Sequence, residues 1–369
     1  MKVLHIIPGF GGGISSFVKN LSIGNSNKKV IYDVLGFNAF PDEYTEIIQN
    51  QNGMCFSLPS VHKHPFKMFA EYKAILKKGK YNILHCHYSG YRGFIFKIIA
   101  RKYGIKRIVT HAHRTSDERK GAFHFISVGI SQRLSCSSST DYFACSKMAG
   151  EHIFGGLKIH GQEVVVIPNS VDTDKFIEPL SRIKKQKYFE ELNLPSECKI
   201  VGHIGRFNIQ KNHRFILNIA KALRESKMNF RILLIGDGEL FNEIEAKVKN
   251  EGLENYVLFL GKRSDVASLI KIFDVMILPS FFEGLPTVAI EAQVAGVHCL
   301  LSDRITTEAD MEMGLIQFLN IEQIDIWKNA IQNIKVSQLS EMERLKEVEK
   351  HGFTILAMQK KYVHVFSNT

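Results

Sequence analysis

The fold of this chain is decided by the stretch Phe281-Phe282-Glu283-Gly284-Leu285-Pro286-Thr287-Val288-Ala289-Ile290-Glu291. It follows an apolar run, Asp274 to Pro279, that is typical of a buried parallel strand, and Pro286 suits the first turn of the next helix. We therefore predict that Glu283 lies at a strand-to-helix turn. Glu291 would lie about two turns further on, with the two carboxylates roughly 12 Å apart at about 1.5 Å of rise per residue.

That spacing fits one elongated ligand better than a pair of glycosidase carboxyls, which lie about 5 to 9.5 Å apart. The helix N-terminus at Gly284, Leu285, Pro286 and Thr287 offers N–H groups and a partial positive charge to an anion between the two acids. A nucleotide-sugar, with its sugar, diphosphate and ribose, has this layout. The structural alternative is that one glutamate caps the helix and the other is simply solvated.

Glu283 and Glu291 resemble the Glu-x7-Glu motif of retaining glycosyltransferases with two Rossmann-like domains, and the neighbouring residues are similar to glycosyltransferase family 4. The similarity continues, in the family's order, through Pro168-Asn169-Ser170-Val171-Asp172, Gly205-Arg206-Phe207 with Gln210-Lys211-Asn212, and Gly236-Asp237-Gly238. This resemblance implies an α/β fold in which two Rossmann-like domains face each other across a cleft, the GT-B architecture.

Length and composition agree with two globular domains, because the chain has 369 residues, of which 45% are hydrophobic and 23% charged. We predict an acceptor-side domain over 1–176, a polar linker over 177–197, and a nucleotide-sugar-binding domain over 198–350. By resemblance, the final segment, 351–369, is a helix that returns to the first domain.

Charge is distributed unevenly along the chain, whose formal net charge is +11. Residues 1–176 contain 23 Lys and Arg against 12 Asp and Glu, whereas residues 177–369 contain 25 of each kind. The first half is therefore expected to meet an anionic partner such as lipid headgroups or a lipid diphosphate. The alternative is that the basic surface only aids solubility.

Neither a membrane span nor a signal peptide is expected, since no apolar run reaches the ~20 residues that cross a bilayer and the chain begins with a strand. The six cysteines have no metal-ligand spacing and fall mostly in apolar runs, which favours reduced thiols in a cytoplasmic protein. Attachment to the inner face of the cell membrane would be peripheral. The segment Tyr91 to Tyr103 is either an interfacial helix on that membrane or a helix that packs on the sheet.

The first unit of the chain reads as strand Lys2 to Pro8, a glycine loop, and a helix from near Ser15. The loop fits the dinucleotide fingerprint poorly, because Ile14 stands where the third glycine should fall. In family 4 such a loop faces the cleft, so the resemblance implies donor binding at Gly12 and Gly13. Strand and helix then alternate, which predicts a parallel sheet covered on both faces.

Four histidines, His85, His87, His111 and His113, fall at the carboxyl ends of two predicted strands, where open α/β sheets bind ligands. Their H-x-H spacing is compatible with a metal, but no carboxylate or thiolate motif accompanies them and family 4 is generally metal-independent, so no metal is predicted. In the resembling enzymes one histidine here lies beside the donor sugar; we favour His111, with His113 second. The charged segment Arg114 to Gly121 is predicted as a loop over the acceptor pocket.

The second domain opens with strand Lys199 to Ile204, and Arg206 and Lys211 follow at its ligand edge. Fixed cations there would stabilise the negative charge of a departing diphosphate without a metal. By resemblance, Glu283 holds sugar hydroxyls, Glu291 holds the ribose, and backbone near Arg263 contacts the base. The full set of predicted donor-binding positions is Gly12, Gly13, Gly205, Gly236, Arg263, Gly284, Leu285, Pro286, Thr287 and Glu291, and the predicted catalytic residues are His111, Arg206, Lys211 and Glu283.

The predicted function is retaining transfer of a hexose-type sugar from a nucleotide-diphosphate donor to a hydroxyl, without a cofactor. Similarity around residues 108–113 and 301–306 to capsule and exopolysaccharide enzymes suggests a lipid-linked saccharide acceptor at an anionic membrane surface. The alternatives are a nucleotide-sugar epimerase of the same architecture and a catalytically silent binding subunit. Nucleic acid is not expected as a partner, because no single-strand platform of aromatic and basic residues is evident.

Overall fold

A computed structural model describes residues 1–10, 12–23, 30–60, 63–115 and 124–367 of the chain. Two compact units divide it: Met1–Ser170 together with Ile355–Thr369, and Val171–Thr354. Most of the predicted loop from Arg114 to Gly121 lies outside the described residues.

Each unit is built on one main parallel sheet. Among the described residues, the strands of the first unit are β1 (Lys2–Ile6), β2 (Ile31–Gly36), β3 (Cys55–Ser57), β4 (Ile83–Cys86), β5 (Arg107–Ala112), β6 (Asp141–Ala144), β7 (Lys158–Ile159), β8 (Gln162–Glu163) and β9 (Val165–Val166). Those of the second unit are β10 (Lys199–Ile204), β11 (Phe230–Ile235), β12 (Val257–Gly261), β13 (Val275–Leu278), β14 (His298–Ser302) and β15 (Ile316–Leu319).

Helices cover the sheets. Those described are α1 (Gly13–Ser22), α2 (Asp42–Gln49), α3 (Pro65–Gly79), α4 (Gly90–Lys102), α5 (His124–Cys136), α6 (Lys147–Phe154), α7 (Thr173–Ile177), α8 (Arg182–Glu191), α9 (His213–Glu225), α10 (Phe241–Asn250), α11 (Val266–Ile270), α12 (Thr287–Val294), α13 (Ile324–Asn333), α14 (Glu341–Lys350) and α15 (Ile355–Ser367). Short 3-10 helices occupy Ile209–Lys211 and Thr307–Ala309.

The strand orders are those of doubly wound α/β sheets. The first sheet runs β3-β2-β1-β4-β5-β6-β9 and the second β12-β11-β10-β13-β14-β15, with parallel pairing throughout, while β7 and β8 form a separate antiparallel pair. The order reverses beside β1 and β10, and ligands of such sheets bind at the carboxyl ends of the strands there. The predicted pair of Rossmann-like α/β domains is confirmed.

The C-terminal helix α15 packs on the first unit. Met358 and Tyr362 are buried there in the same apolar cluster as Phe17 and Leu21 of α1. Burial of these side chains against the sheet gives the helix its place in this unit. The change of unit falls between Ser170 and Val171, and the polar segment 177–197 contains helix α8.

Helix α4 packs on the sheet with its inner face. Phe96 and Ala100 are buried, and the ammonium group of Lys97 is also buried, whereas Tyr91 and Tyr103 are exposed. The helix therefore packs on the sheet, as one of the two interpretations of its sequence predicts, and both of its ends carry an exposed aromatic side chain. No helix among the described residues is long and apolar enough to cross a membrane.

Asp33 has a structural role in β2. Its buried carboxylate accepts hydrogen bonds from the Tyr81 hydroxyl at 2.7 Å and the Met54 backbone N–H at 2.9 Å, and it pairs with the Lys2 ammonium at 2.9 Å. Every oxygen of this acid is committed to holding β2 in the sheet, in agreement with the poor dinucleotide fingerprint.

Candidate functional site

Loops from four strands meet at the carboxyl edge of the second sheet. The Gly236 N–H donates to the Gly261 carbonyl at 2.9 Å, and the Phe207 N–H donates to the Asp237 carbonyl at 3.0 Å. The loop after β13 joins them, because the Phe281 N–H donates to the Gln210 carbonyl at 2.9 Å. These backbone bonds bring the predicted motifs together although they are far apart in sequence.

Glu283 lies in this edge and is held by two side chains of the loop after β10. The Lys211 Nζ atom is 2.6 Å from Glu283 Oε1, and the Gln210 Nε2 donates to Oε2 at 3.1 Å. The same amide donates to the Phe282 carbonyl at 2.9 Å. The two charged side chains are only 14% and 9% exposed, so the pair is fixed in a site with little water.

Glycines allow these loops to approach each other. Gly236 has φ of +141°, and a Cβ atom there would lie 2.0 Å from the Gly205 carbonyl oxygen. A Cβ atom at Gly205 would lie 2.9 Å from the Lys211 side chain. Both positions therefore need glycine, and both belong to the predicted donor-binding set.

Arg206 follows Gly205 at the same edge, with an exposed side chain next to the Gly238 backbone. The two predicted phosphate-binding cations thus differ: Lys211 is paired with Glu283, whereas the Arg206 side chain extends into solvent. A diphosphate that approached this edge would meet both.

Helix α12 begins at Thr287 with Pro286 as its N-cap residue and no side chain capping it. Glu291 is half-buried in its second turn. The helix supplies about 6 Å of rise between Thr287 and Glu291. The predicted 12 Å spacing assumed helical rise from Glu283 onward, whereas residues 283–286 form a loop, so the spacing stays a prediction without that basis.

Arg263 uses its side chain in a structural ion pair. Its guanidinium donates to both carboxylate oxygens of Asp265 at 2.8 Å and to Glu191 of α8 at 3.1 Å. The first of these contacts lowers the pKa of Asp265 to about 2. Only the backbone of Arg263 remains for the predicted contact with a base.

Two buried histidines, His203 and His213, lie at the two ends of the loop that joins β10 to α9. His213 stacks on Phe207 with ring centroids 4.0 Å apart, and the His203 Nδ1–H donates to the Ile277 carbonyl, 2.9 Å away. Burial lowers the pKa of His213 to about 3 and that of His203 well below its usual value. Both rings are therefore neutral near pH 7.

The first unit contains a second polar cluster, at the carboxyl ends of β1, β4 and β5. His85 contacts the Tyr362 hydroxyl at 2.9 Å and His111 Nδ1 at 3.1 Å. His87 contacts His5 Nδ1 at 3.0 Å and His113 Nε2 at 2.8 Å. The predicted four histidines do converge, and His5 and Tyr362 complete the cluster.

All five histidines of this cluster are held neutral. Burial lowers the pKa of His5 and of His113 to about 3, and burial together with the neighbouring rings holds the pKa values of His85, His87 and His111 well below their usual range. Two groups bring one ligand atom from each ring within 4.8 Å of the others: His5, His85 and His87, and His87, His111 and His113. These histidines are the residues that would hold a cation if the chain binds one, since their ring nitrogens lie close together.

A cavity of about 650 Å³ opens beside these histidines within the first unit. Its lining includes His111, His113, Arg92, Arg114 and Tyr91. His111 lies on β5 and is 1% exposed, whereas His113 follows the strand end and is partly exposed. Both predicted registers for the sugar-facing histidine thus reach the same cavity.

The glycine loop after β1 leads into α1. Gly12 is the N-cap residue of α1, and Gly13 is the first residue of that helix. A Cβ atom at Gly12 would have no atom of the described residues within 4 Å.

Sequence reasoning missed three contributors to these sites: Gln210, His5 and Tyr362. Gln210 could have been suspected as a site residue, since it belongs to a motif that the resemblance includes, but nothing in that motif predicts a contact with Glu283. No sequence feature indicated His5 or Tyr362, because strand order and the position of α15 bring them to the cluster.

Comparison with known proteins agrees with this geometry. Residues 11–175 match the family model described as Glycosyltransferase Family 4, and residues 184–313 match Glycosyl transferases group 1. The chain is 32% identical over 353 residues to the putative glycosyltransferase EpsF of Bacillus subtilis, covering 94% of this chain and 91% of that protein. It is 29% identical over 270 residues to the UDP-Gal:alpha-D-GlcNAc-diphosphoundecaprenol alpha-1,3-galactosyltransferase of Escherichia coli, covering 70% and 67%.

Solved structures show the same fold. HepE of Anabaena in complex with UDP-glucose superposes with a TM-score of 0.78 at 18% identity, and sucrose-phosphate synthase of Thermosynechococcus elongatus with 0.76 at 17%, each over 100% of both chains. The chain therefore belongs to glycosyltransferase family 4, and its two Rossmann-like units are those of a GT-B glycosyltransferase.

Proposed function

We propose that this glycosyltransferase moves a sugar from a nucleotide-diphosphate donor to a hydroxyl of a lipid-diphosphate-linked saccharide, with retention, in exopolysaccharide or capsule assembly. The observation that carries the proposal is the Lys211–Glu283 pair, joined by Gln210, at the carboxyl edge of the second sheet. Similarity to EpsF and to a transferase named for a diphosphoundecaprenol substrate supports the acceptor class.

The roles follow from charge. Lys211 and Arg206 would stabilise the diphosphate as the bond from the anomeric carbon to its oxygen breaks. Glu283 would accept hydrogen bonds from sugar hydroxyls, and its pairing with Lys211 keeps its negative charge from repelling the diphosphate. Glu291 would accept from the ribose, and His111 would lie beside the donor sugar.

Retention requires attack from the face that the diphosphate leaves. The acceptor oxygen forms the new bond to the anomeric carbon, and its proton passes to an oxygen of the departing phosphate, which serves as the base. The cations Arg206 and Lys211 supply the charge stabilisation that a metal provides in other transferases, so the reaction is proposed to be metal-independent.

A panel assay tests this function. The purified chain is incubated with nucleotide-sugars, release of the nucleoside diphosphate is followed with and without an N-acetylglucosaminyl diphosphate lipid, and the anomeric configuration of the product is read by NMR. The expected result is acceptor-stimulated release and a retained anomer, unchanged by EDTA. An inverted product would refute retention, and a rearranged sugar without acceptor would indicate the epimerase instead.

Peripheral attachment to the inner face of the membrane is the second part of the proposal. It is supported by the excess positive charge of residues 1–176 and by large apolar side chains that the first unit exposes, with Phe66 90%, Tyr91 68% and Ile126 62% exposed. Sedimentation with anionic vesicles should be reduced in Phe66→Ser and unchanged in Met342→Ser, a control whose side chain is 80% exposed in the second unit. Equal sedimentation of both variants with wild type would contradict a role for Phe66.

A further inference from the structure

Two chains of hydrogen bonds cross the histidine cluster and end at the cavity beside it. The first runs from Tyr362 through His85 to His111, and the Nε2 atom of His111 is buried with no hydrogen-bond partner among the described residues. The second runs from His5 through His87 to His113, whose Nδ1 atom is likewise without a described partner. Since each neutral imidazole has one N–H and one lone pair, each chain has only two possible directions.

Tyr362 sets the direction of the first chain. Its hydroxyl is fully buried and, within the described part of the molecule, hydrogen-bonds to His85 alone. If His85 donated this bond, the Tyr362 O–H would be a buried donor with no acceptor. The hydroxyl therefore donates to His85 Nδ1, His85 Nε2–H donates to His111 Nδ1, and His111 carries its proton on Nε2.

The buried end of the second chain sets its direction. His5 is 0% exposed, and its Nε2 atom has no partner among the described residues. A buried N–H without an acceptor is less well tolerated than an unused lone pair. His5 therefore donates from Nδ1 to His87, His87 donates to His113 Nε2, and His113 carries its proton on Nδ1. Both chains thus place their one unpartnered N–H at the end beside the cavity, where a ligand can accept it, on rings whose centroids are 4.0 Å apart.

The rest of the cavity lining also favours an anion. Arg92 and Arg114 line it, and the Arg114 guanidinium donates to the Ser89 hydroxyl at 3.3 Å. None of the described lining residues is Asp or Glu. Apolar side chains, Tyr91 and Ile130, lie on the same lining and are more than half exposed, which suits a ligand with both an anionic and an apolar part.

We infer that this cavity binds a phosphoryl group of the acceptor, which accepts hydrogen bonds from His113 Nδ1–H and from the guanidinium groups of Arg92 and Arg114. His111 Nε2–H, on the neighbouring ring, donates to a sugar hydroxyl. Tyr362 is a positioning residue, since it acts on the ligand only through His85 and His111. The identity of the phosphoryl group as part of a lipid diphosphate rests on the proposed function.

Binding of geranyl diphosphate to the full chain, measured by calorimetry, tests the site. One equivalent should bind, and the dissociation constant should rise at least tenfold in the Arg92→Gln/Arg114→Gln variant. It should also rise in His113→Ala and recover in His113→Asn, whose amide places an N–H near the Nδ1 position. Lys102→Gln, which removes an exposed cation of the same helix, is the control and should bind as wild type.

Further binding measurements locate the ligand and identify the kind of molecule that supplies the phosphoryl group. The variant Arg206→Gln should retain geranyl diphosphate binding. If Arg206→Gln lost binding while the Arg92→Gln/Arg114→Gln and His113→Ala variants kept it, the diphosphate would bind in the second unit and the inference would be overturned. Tighter binding of geranyl diphosphate than of inorganic pyrophosphate identifies a prenyl lipid, and equal binding identifies the phosphate alone. If the chain hydrolyses nucleotide-sugars but binds neither probe, the inference fails and the proposed function stands; failure of both assays removes the proposed function as well.

The proton positions can be read directly from 15N NMR of the histidines. Wild type should show His111 protonated on Nε2 and His113 on Nδ1, and Tyr362→Phe should change the tautomer of His111. The opposite tautomers in wild type would overturn the inference. So would stoichiometric Co2+ binding with ligand-field absorption that disappears in His87→Ala, because a cation needs lone pairs on nitrogen atoms that carry protons in the inferred tautomers.

Discussion

Lys211 Nζ lies 2.6 Å from Glu283 Oε1, which joins two residues 72 positions apart at the carboxyl edge of the second sheet. Gln210 holds the other carboxylate oxygen at 3.1 Å. The contact places a cation beside the acid that we propose binds the sugar. Such preorganisation lowers the reorganisation that transfer would need.

Removing either of the two cations that we propose bind the diphosphate should slow turnover. Loss of one fixed charge at a developing anion costs about 10² to 10³ in kcat, and we expect this range for Lys211→Ala and for Arg206→Ala. Arg214→Ala, which removes an exposed cation paired with Glu243, is the matched control. Steady-state kinetics with the donor found by the panel assay would contradict the roles if kcat were unchanged in both variants.

Glu291→Ala should mainly weaken donor binding. A hydrogen bond to a charged group contributes about 1.5 to 3 kcal/mol, so the donor dissociation constant should rise roughly ten- to hundredfold. Calorimetry with the released nucleoside diphosphate measures this, and Glu245→Ala, an exposed glutamate of α10, should bind as wild type. Donor affinity equal to wild type in Glu291→Ala would remove the ribose assignment.

Gly236→Ala should destabilise the second unit. The residue has φ of +141°, and its new Cβ atom would lie 2.0 Å from the Gly205 carbonyl oxygen, so the loops after β10 and β11 must separate. Gly314→Ala, at φ of +67° with no atom within 4 Å, isolates the backbone cost of about 1 kcal/mol. The free energy of unfolding in urea, followed by the fluorescence of Trp327, the single tryptophan, should fall by more in Gly236→Ala than in the control.

Because of Lys97, the stability of the first unit should increase with pH in the alkaline range. Its buried ammonium donates to Thr110, Leu134, Ser135 and Ser139 at 2.6 to 3.2 Å. Burial nevertheless lowers its pKa to about 8 from 10.5. Between these values the unfolded chain binds more protons than the folded one, so stability increases with pH by up to about 1.4 kcal/mol per unit.

The stability difference between wild type and Lys97→Met isolates this group. Wild type should become more stable relative to Lys97→Met as the pH rises from 8 to 10.5, and the difference should be constant below pH 8. Chemical denaturation across that range measures it. Lys102→Met, on the exposed side of the same helix, should show no such trend. A constant difference for Lys97→Met would indicate an ordinary lysine pKa.

Acid should destabilise the first unit before the second. Burial lowers the pKa of His5 and His113 to about 3 from 6.5, and His85, His87 and His111 are also shifted down. Because these folded-state values are depressed, their contribution is fully present above about pH 6.5 and is lost as the pH falls toward 3. The hydrogen-exchange protection of β4 and β5, corrected for the intrinsic slowing of exchange in acid, should therefore decrease between pH 7 and 5 while Trp327 fluorescence stays native. Simultaneous loss of both signals would contradict this order.

Several elements were predictable because they depend on local pattern. The apolar run Lys199–Ile204 forms a strand with those bounds, and the glutamate after β13 lies at a strand-to-helix turn. Strand β15 was not predicted from the sequence. The inward direction of Lys97 was also missed, since a lysine on an exposed-looking helix gives no sign of the oxygens that receive it.

The sequence by itself determined the two parallel sheets and the edge at which the motif residues gather, because alternating strands and helices force the carboxyl ends of parallel strands to one side. Only the tertiary structure decided which side chains touch there. Lys211 meets Glu283, and Tyr362 reaches His85 across 277 positions, since strand order and helix packing set these contacts. Those depend on burial summed over the whole unit, which no local pattern of residues contains.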